Sequence, residues 1–430
     1  SKMNNDQTFG NESIIFEYQN NIYLINDESK TAKIIGSNEI NIFIPRSITY
    51  QNKEYLVTSI SEGSFKNPKI KSVKFAENSS IEIIESHLFE ITSIESITIP
   101  SSVRHIKSEA FSRHSLCQIE FAKESQLQTI SHHAFKSTSI EKIQIPSNMI
   151  EISEGLFSDC NKLKQIIFPN DSKLQTIDNN AFNRTQIEEI TFPPKLMELK
   201  DGWCNGLNNL KKIIVNPENK YFTYYEDKFI IGKSSINQDN YDLLVFCFPK
   251  NDPIIIPDFT TTICSYVFAE KLIESITIPS HVKKIGKFSF YKCKKLQKVN
   301  FQPNSQLQII DSYSFGSSAI ESISIPSSVT QICERAFNDC KKLKQIEIPN
   351  DSHLQLIGTR AFSDSNIMNI KIPEKVKKIE FGTFHSCRNL CQVEISLDSQ
   401  LKIIENHGFY DTQISKILIP SNVTKIEINC

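Results

Sequence analysis

Nine histidines and eleven cysteines are the residues of this 430-residue sequence with the most chemistry to offer. His132 and His133 are adjacent, and imidazoles can ligate zinc. They stand just before Ala134-Phe135 on an expected turn, and the other histidines are scattered, so no metal site is expected. Cys204, beside Trp203, could act as a thiol nucleophile only with a base beside it, and no histidine is near it in sequence. A Gly-rich phosphate loop, a GxSxG elbow and an HExxH helix are all missing. The sequence therefore points away from an enzyme, and no cofactor is expected.

The cysteines follow a spacing of another kind. Cys160, Cys293, Cys340 and Cys387 each come three residues after an aromatic, and the same slot elsewhere holds Thr92, Thr138, Thr185, Ser318, Ser365 or Thr412. A site that accepts Cys, Thr or Ser calls for a small side chain that hydrogen-bonds turn backbone removed from water. These thiols are therefore expected to be structural, and no disulfide is expected.

The aromatic that precedes the slot recurs as Phe65, Phe89, Phe111, Phe135, Phe157, Phe182, Trp203, Phe268, Phe290, Phe315, Phe337, Phe362, Phe384 and Phe409. The gaps are 24, 22, 24, 22, 25 and 21, then 65, then 22, 25, 22, 25, 22 and 25. A period of this length with an LxxLxL-like core is a leucine-rich-repeat signature, because one coil cannot bury its own apolar side and must stack on neighbours. The expected fold is a leucine-rich-repeat solenoid: a β-rich right-handed superhelix with a parallel sheet on its concave face. Its convex side should carry short strands and short 3-10 or helical turns, with residues 108–111 forming about one helical turn. Strands such as Ile97-Thr-Ile-Pro100 and Ile323-Ser-Ile-Pro326 alternate inward and outward side chains, and the proline ends pairing where the chain turns. With glycine scarce, the corners should be turned by Asn, Asp, Ser and Pro.

Three segments depart from the repeat. Residues 1–12 are expected to be disordered, and 13–59 to form an N-terminal cap with a hairpin. The solenoid should then run from 60 to 430 as a single domain, interrupted at 216–253 by a β-hairpin. One strand of that hairpin is expected over 221–231 and the other over 241–248.

Two surfaces could bind a partner. At the first variable position of successive strands stand Glu141, Lys164, Glu188 and Lys211, and later Glu274, Glu321 and Lys344. Stacked strands turn one position into a column, so this row reads either as a self-neutralising face or as a partner-binding row. The insertion offers Tyr224 and Tyr225, since exposed tyrosines on a protruding hairpin make good anchors.

The pattern IxIPxxVxxIxxxAFxxCxxLxxIxF, as in residues 323–348, resembles the BspA-like leucine-rich-repeat proteins. The insertion is similar to that family as well, in Val215-Asn-Pro-Glu-Asn219, a tyrosine-rich strand and an Ile-Ile-Ile-Pro return at 254–257. Departures are Trp203-Cys204 in place of Ala-Phe, His114 in the cysteine slot and Pro68 in the first such slot. The resemblance implies a surface protein of host-associated bacteria or mucosal protozoan parasites, a non-enzymatic adhesin binding host-cell or matrix proteins. An intracellular protein-interaction scaffold is the alternative.

Lysine plus arginine (48) nearly cancels aspartate plus glutamate (49), which argues against a nucleic-acid partner. The longest apolar run, residues 243–248, is far shorter than a membrane helix needs. No signal peptide is visible in the first thirty residues, and Ser1-Lys2 ahead of Met3 suggests a cloning remnant. A secreted or cell-surface location therefore rests on the resemblance, with a cytoplasmic one as the alternative. Six N-x-Ser/Thr sites, at Asn11, Asn78, Asn170, Asn183, Asn350 and Asn422, would suit a glycosylated surface protein, although an Asn- and Ser-rich chain produces several by chance. Because the last coil ends in apolar Ile426 and Ile428, some dimerisation through it is expected.

Overall fold

The computed structural model describes residues 8–9, 13–113, 115–248 and 253–429. His114 lies outside them, as does the expected disordered start except for the short strand Thr8–Phe9. The chain divides into two compact units, Ser1–Lys220 and Tyr221–Cys430, with the division inside the expected insertion.

The first unit opens on antiparallel strands Ser13–Tyr18 and Asn21–Asn26. They turn at Gln19 and Asn20, both left-handed (φ 48° and 57°), the geometry of a tight hairpin. Thr31–Ser37 adds a third antiparallel strand and then pairs in parallel with Lys53–Ile60, which changes the pairing from a meander to stacked coils.

From there each coil contributes to two walls. The long-strand wall holds Ser96–Ile99 against Gln118–Phe121, and Lys142–Gln144 against Gln165–Ile167, all parallel. The short-strand wall stacks Ile83–Ile84, His105–Ile106 and Thr129–Ile130, two residues a coil. Inward Ile97, Ile99, Ile119, Ile143 and Ile166 are buried while Ser96, Gln118, Lys142 and Gln165 face solvent, as alternation along a strand requires. Pairing in the long wall is uneven. Between Gln165–Ile167 and Glu189–Phe192 it shrinks to Gln165 opposite Glu189, then recovers to four residue pairs between Glu189–Phe192 and Lys212–Val215. Alternating coil lengths thus stack tightly and loosely in turn.

The second unit opens on another antiparallel meander, Phe222–Tyr225, Phe229–Gly232 and Leu243–Cys247. Residues 221–231, expected as one strand, are two. Glu226 and Asp227 both adopt φ 50°, and Lys228 N–H donates to Tyr225 O at 3.1 Å to close the turn. The third strand, Leu243–Cys247, pairs in parallel with Thr262–Ile263 and so starts this unit's short-strand wall. That wall continues through Lys284–Ile285, Ile309–Ile310, Gln331–Ile332 and Leu356–Ile357. The long-strand wall carries Ser275–Ile278, Lys298–Phe301, Ser322–Ser324 and Gln345–Glu347.

The repeated aromatics form an internal spine in each unit. In the first, Phe65, Phe89, Phe111, Phe135, Phe157 and Phe182 stack with centroids 4.9–6.1 Å apart. In the second, Phe268, Phe290, Phe315, Phe337, Phe362, Phe384 and Phe409 follow at 5.0–5.6 Å, with planes within 18° of parallel. Such ring pairs add about 0.5–1.5 kcal/mol each beyond the area they bury.

The corner holding each spine ring is not the helical turn expected at 108–111, and among the described residues there is no helix. The residue two before the ring is left-handed in coil after coil, as at His87, Glu109, His133, Asn180, Tyr266, Phe288, Tyr313, Arg335, Arg360 and His407. So is the residue two after it, as at Arg113, Asp159, Lys292 and Asp339. Each such residue costs roughly 1–2 kcal/mol in left-handed geometry and interrupts any helical run. The cost is offset because alternate N–H groups donate to the next coil: Phe111 to Ala134 O at 2.9 Å, Phe157 to Ala181 O at 2.8 Å and Phe337 to Ala361 O at 2.8 Å. The corner is itself a ladder, which lets bulky residues stand two before the ring, while two after it Ser137, Asp159, Ser317, Asp339, Asp364, Ser386 and Asp411 are of the types expected.

Candidate functional site

The charged column selected from sequence is exposed to solvent and stands just ahead of the paired strands. Glu141, Lys164, Glu188 and Lys211 each immediately precede a paired strand, as do Glu274, Glu321 and Lys344. They stack along the leading edge of the long-strand wall, joined by Lys164 N–H to Glu141 O at 2.9 Å and Lys344 N–H to Glu321 O at 2.9 Å. Lys211 Nζ donates to Glu188 Oε2 at 2.9 Å, and that hydrogen bond, with the charges of Lys211 and Lys164, holds the Glu188 carboxyl below its ordinary range. The next residue, the first of each paired strand, is exposed as well, and there Lys212 and Glu189 pair at 3.0 Å.

In the second unit the outward residues of the wall line an open hollow of ≈ 420 Å³. Ser324, Glu347, Lys371 and Glu394 face into it above a floor of Ile325, Ile346 and Ile370. Glu347 accepts from Ser324 Oγ at 2.6 Å and from Gln345 Nε2 at 3.1 Å. Lys371 Nζ donates to Asn350 Oδ1 at 2.6 Å and lies 3.7 Å from Glu394. The hollow therefore presents paired charges of both signs over an apolar base, a surface suited to a protein partner rather than to a polyanion.

The structure separates the two insertion tyrosines. Tyr224 is 40% exposed, its ring 6.4 Å from Phe248. Tyr225 is half-buried edge-on to Phe259 at 5.3 Å, and that burial pushes its phenol up. Phe229, Ile230, Leu244, Val245, Phe246 and Phe248 are buried, so most of the meander is packing.

The cysteine slot does what its residue types imply. Cys160 Sγ donates to Phe135 O at 2.9 Å, Cys293 to Phe268 O at 3.0 Å, Cys340 to Phe315 O and Cys387 to Phe362 O, both at 3.1 Å. Thr185 in the same slot instead donates to Phe182 O of its own coil, at 2.9 Å. Burial pushes the thiols of Cys160 and Cys340 up to about 11 and those of Cys293 and Cys387 up to about 12. Native protein treated with iodoacetamide near about pH 8 is expected to alkylate exposed Cys117 and Cys391 and to spare these four. Peptide masses check this, and labelling of Cys340 as fast as Cys117 would contradict it. Cys204 is buried beside Trp203, away from solvent-borne substrates.

His132 and His133 do not converge on a ligand: His132 Nδ1 lies 3.3 Å from Ser108 Oγ, and His133 Nδ1 lies 3.2 Å from Gly155 O. Residues that sequence reasoning missed do converge. His87, Glu90 and Glu109 bring one ligand atom each to within 4.8 Å of one another. In the second unit, Tyr266, Phe288 and Tyr313 stack outside the corner at 4.9 and 4.7 Å, with the Arg335 guanidinium 5.4 Å from the Tyr313 ring. The signal was present in the repeat, since all of these except Glu90 sit two residues before a spine ring.

A family model described as BspA type leucine rich repeat region, in six copies, matches residues 33–160, 128–238, 231–331, 261–390 and 308–430. Among curated proteins nothing matches. Among solved structures, a leucine rich cell surface protein from Faecalibacterium prausnitzii is similar over 96% of this chain and 94% of its own, at 21% identity and a TM-score of 0.60. The pneumococcal vaccine antigen PcpA is similar over 96% of this chain and 93% of its own, at 20% identity and a TM-score of 0.57. A leucine-rich repeat protein from Eubacterium ventriosum is similar over 97% and 94%, at 19% identity and a TM-score of 0.53. Likeness at these identities shows the fold. The family match is broader in meaning: it spans the coils from residue 33 to residue 430, and the chain belongs to the BspA-type leucine-rich-repeat family.

Proposed function

We propose that this chain is a non-enzymatic protein-binding solenoid of a cell surface, attaching to host-cell or extracellular-matrix proteins. The observation that carries the reading is the contrast between its two sides. Inward positions are held to Ile, Val, Leu and Phe, whereas outward positions of the same strands vary, mostly among Ser, Gln, Lys, Glu, Asn and Thr, with Phe43, Ile167 and Ile214 the apolar exceptions. A framework that fixes its interior and varies one accessible wall is built to present a surface. Two of the similar solved structures are described as a cell surface protein and a vaccine antigen, which favours the surface location. No helix among the described residues is long and apolar enough to cross a membrane.

The hollow over Ser324, Glu347, Lys371 and Glu394 is the contact surface in this reading, with Lys344 and Glu321 on its leading edge and Tyr224 as a separate anchor. The test is saturable binding of labelled chain to intact host cells and to immobilised matrix proteins. Lys344→Glu combined with Lys371→Glu should weaken binding by at least about tenfold, since truncating or reversing interface charges commonly costs 2 kcal/mol or more. Absence of saturable binding to any of these surfaces contradicts the function. Binding that survives the double charge reversal but is lost in Tyr224→Ala moves the contact to the meander.

A further inference from the structure

We infer that His87, Glu90 and Glu109 form a binding site for a divalent transition metal of the Zn²⁺ class. Two of the three ligands come from one structural position repeated in successive coils. His87 and Glu109 each stand two residues before a spine ring, at Phe89 and Phe111, and both are left-handed (φ 54° and 55°). The corner ladder fixes them: His87 N–H donates to Ser108 O at 3.4 Å and Phe89 N–H to Ala110 O at 2.9 Å. Glu109 N–H likewise donates to His132 O at 3.4 Å, and Phe111 N–H to Ala134 O at 2.9 Å. The two side chains are therefore neighbours because the coils stack, independently of any metal.

Glu90 completes the set from the residue after the ring, its Oε2 2.9 Å from His87 Nδ1. All three side chains are half-buried, and their ligand atoms lie within 4.8 Å of one another. Around a tetrahedral zinc, with bonds of about 2.0–2.2 Å, neighbouring ligand atoms sit roughly 3.3 Å apart. Side-chain rotations that together close up to about 1.5 Å, and open the His87–Glu90 pair slightly, bring the three to that spacing. His87 already uses one carboxylate. Among the described residues the Glu109 carboxylate makes no hydrogen bond or ion pair, and it stands beside the same imidazole.

The donor set selects the metal. One imidazole nitrogen with two carboxylates suits zinc and its neighbours, leaving a position for water. Ca²⁺ and Mg²⁺ prefer six or more oxygens and gain little from the imidazole. The site is also local to this place in the chain, because the equivalent corner position is Gly63 before it and Gly155 and Asn180 after it, with only His133 between offering a ligand. His133 turns its Nδ1 to Gly155 O instead.

The test is calorimetric titration of the full chain with Zn²⁺ alone, after chelator treatment. His87→Asn is the variant of choice, since asparagine tolerates the left-handed corner and is a poor zinc ligand. The expected result is one equivalent bound by wild type, at least about tenfold weaker binding in His87→Asn and in Glu109→Gln, and unchanged binding in Cys117→Ser/Cys391→Ser. Unshifted melting temperatures without metal show that the variants fold. The proposal is overturned by no stoichiometric binding by wild type, or by binding that persists in the His87→Asn/Glu109→Gln double variant. Loss of binding only in the cysteine variant overturns it as well, by assigning the metal to exposed thiols.

Discussion

Phe337→Ala is expected to destabilise the chain by about 3–5 kcal/mol, the usual loss for a buried phenylalanine replaced by alanine. The ring is inaccessible to solvent and stacked on both faces, 5.3 Å from Phe315 and 5.3 Å from Phe362. Its removal leaves a cavity that the corner cannot collapse into, because the backbone on both sides is tied to neighbouring coils through Phe315 N–H to Ala336 O at 2.9 Å and Phe337 N–H to Ala361 O at 2.8 Å. For a unit of this size, each kcal/mol moves the melting temperature by roughly 2–4 °C, so a fall of about 10 °C is expected in a thermal scan. Leu397→Ser, on an exposed side chain, should stay within about 0.5 kcal/mol of wild type. Equal effects of the two substitutions would mean that the spine carries no special share of the stability.

Deleting residues 221–248 should have a larger effect, and of a different kind from the loss of a recognition loop. Phe229, Ile230, Ile231, Leu244, Val245 and Cys247 are buried in the meander, and Leu243–Cys247 is the strand on which Thr262–Ile263 is paired. Each buried apolar side chain of this size is worth about 1.5–3 kcal/mol, so the deletion removes on the order of 10 kcal/mol. That is comparable with the whole stability of an ordinary domain, about 5–15 kcal/mol. The second unit is therefore expected to lose cooperative unfolding, with the newly exposed edge of Thr262–Ile263 promoting aggregation. Single substitutions separate packing from recognition: Phe229→Ala should cost about 3–5 kcal/mol, while Tyr224→Ala, being partly exposed, should cost less than about 1 kcal/mol. A deletion variant that melts as wild type does would show the meander to be an appendage. The same segment begins its unit as residues 13–37 begin the first, with antiparallel strands that give way to parallel ones. A stack of coils needs such a cover over its first apolar face.

The spine and both walls were legible in the sequence because they depend on periodic apolar residues. Phe111, Phe135 and Phe157, like Phe290, Phe315 and Phe337, recur at the coil length, and Ile97-Thr-Ile alternates as a strand must. The cysteine slot was legible because Cys, Thr and Ser share only small size and hydrogen-bonding capacity. What was not legible depends on backbone geometry. The corner at 108–111 resembles one turn of helix in composition, yet Glu109 and Arg113 are left-handed, a state paid for by hydrogen bonds to a coil more than twenty residues away. The charged column is exposed, but repeat spacing does not mark where pairing begins, and Lys164 and Lys344 stand just outside the paired strand. Residues 221–231 were read as one strand because Glu226-Asp227 lacks the Asn or Gly that usually marks a two-residue turn. His87 and Glu109 share a repeat position legible in the sequence, but that Glu90 meets them shows only once coils are laid in register.

Native-state hydrogen exchange at the spine residues tests the stacked-coil account most directly. The backbone amides of Phe111, Phe157, Phe290 and Phe337 each donate to the following coil at 2.7–2.9 Å, so they should exchange only through opening of whole coils, with protection approaching the global stability. Exchange of these four amides as fast as those of the exposed loop at residues 170–171 would contradict it.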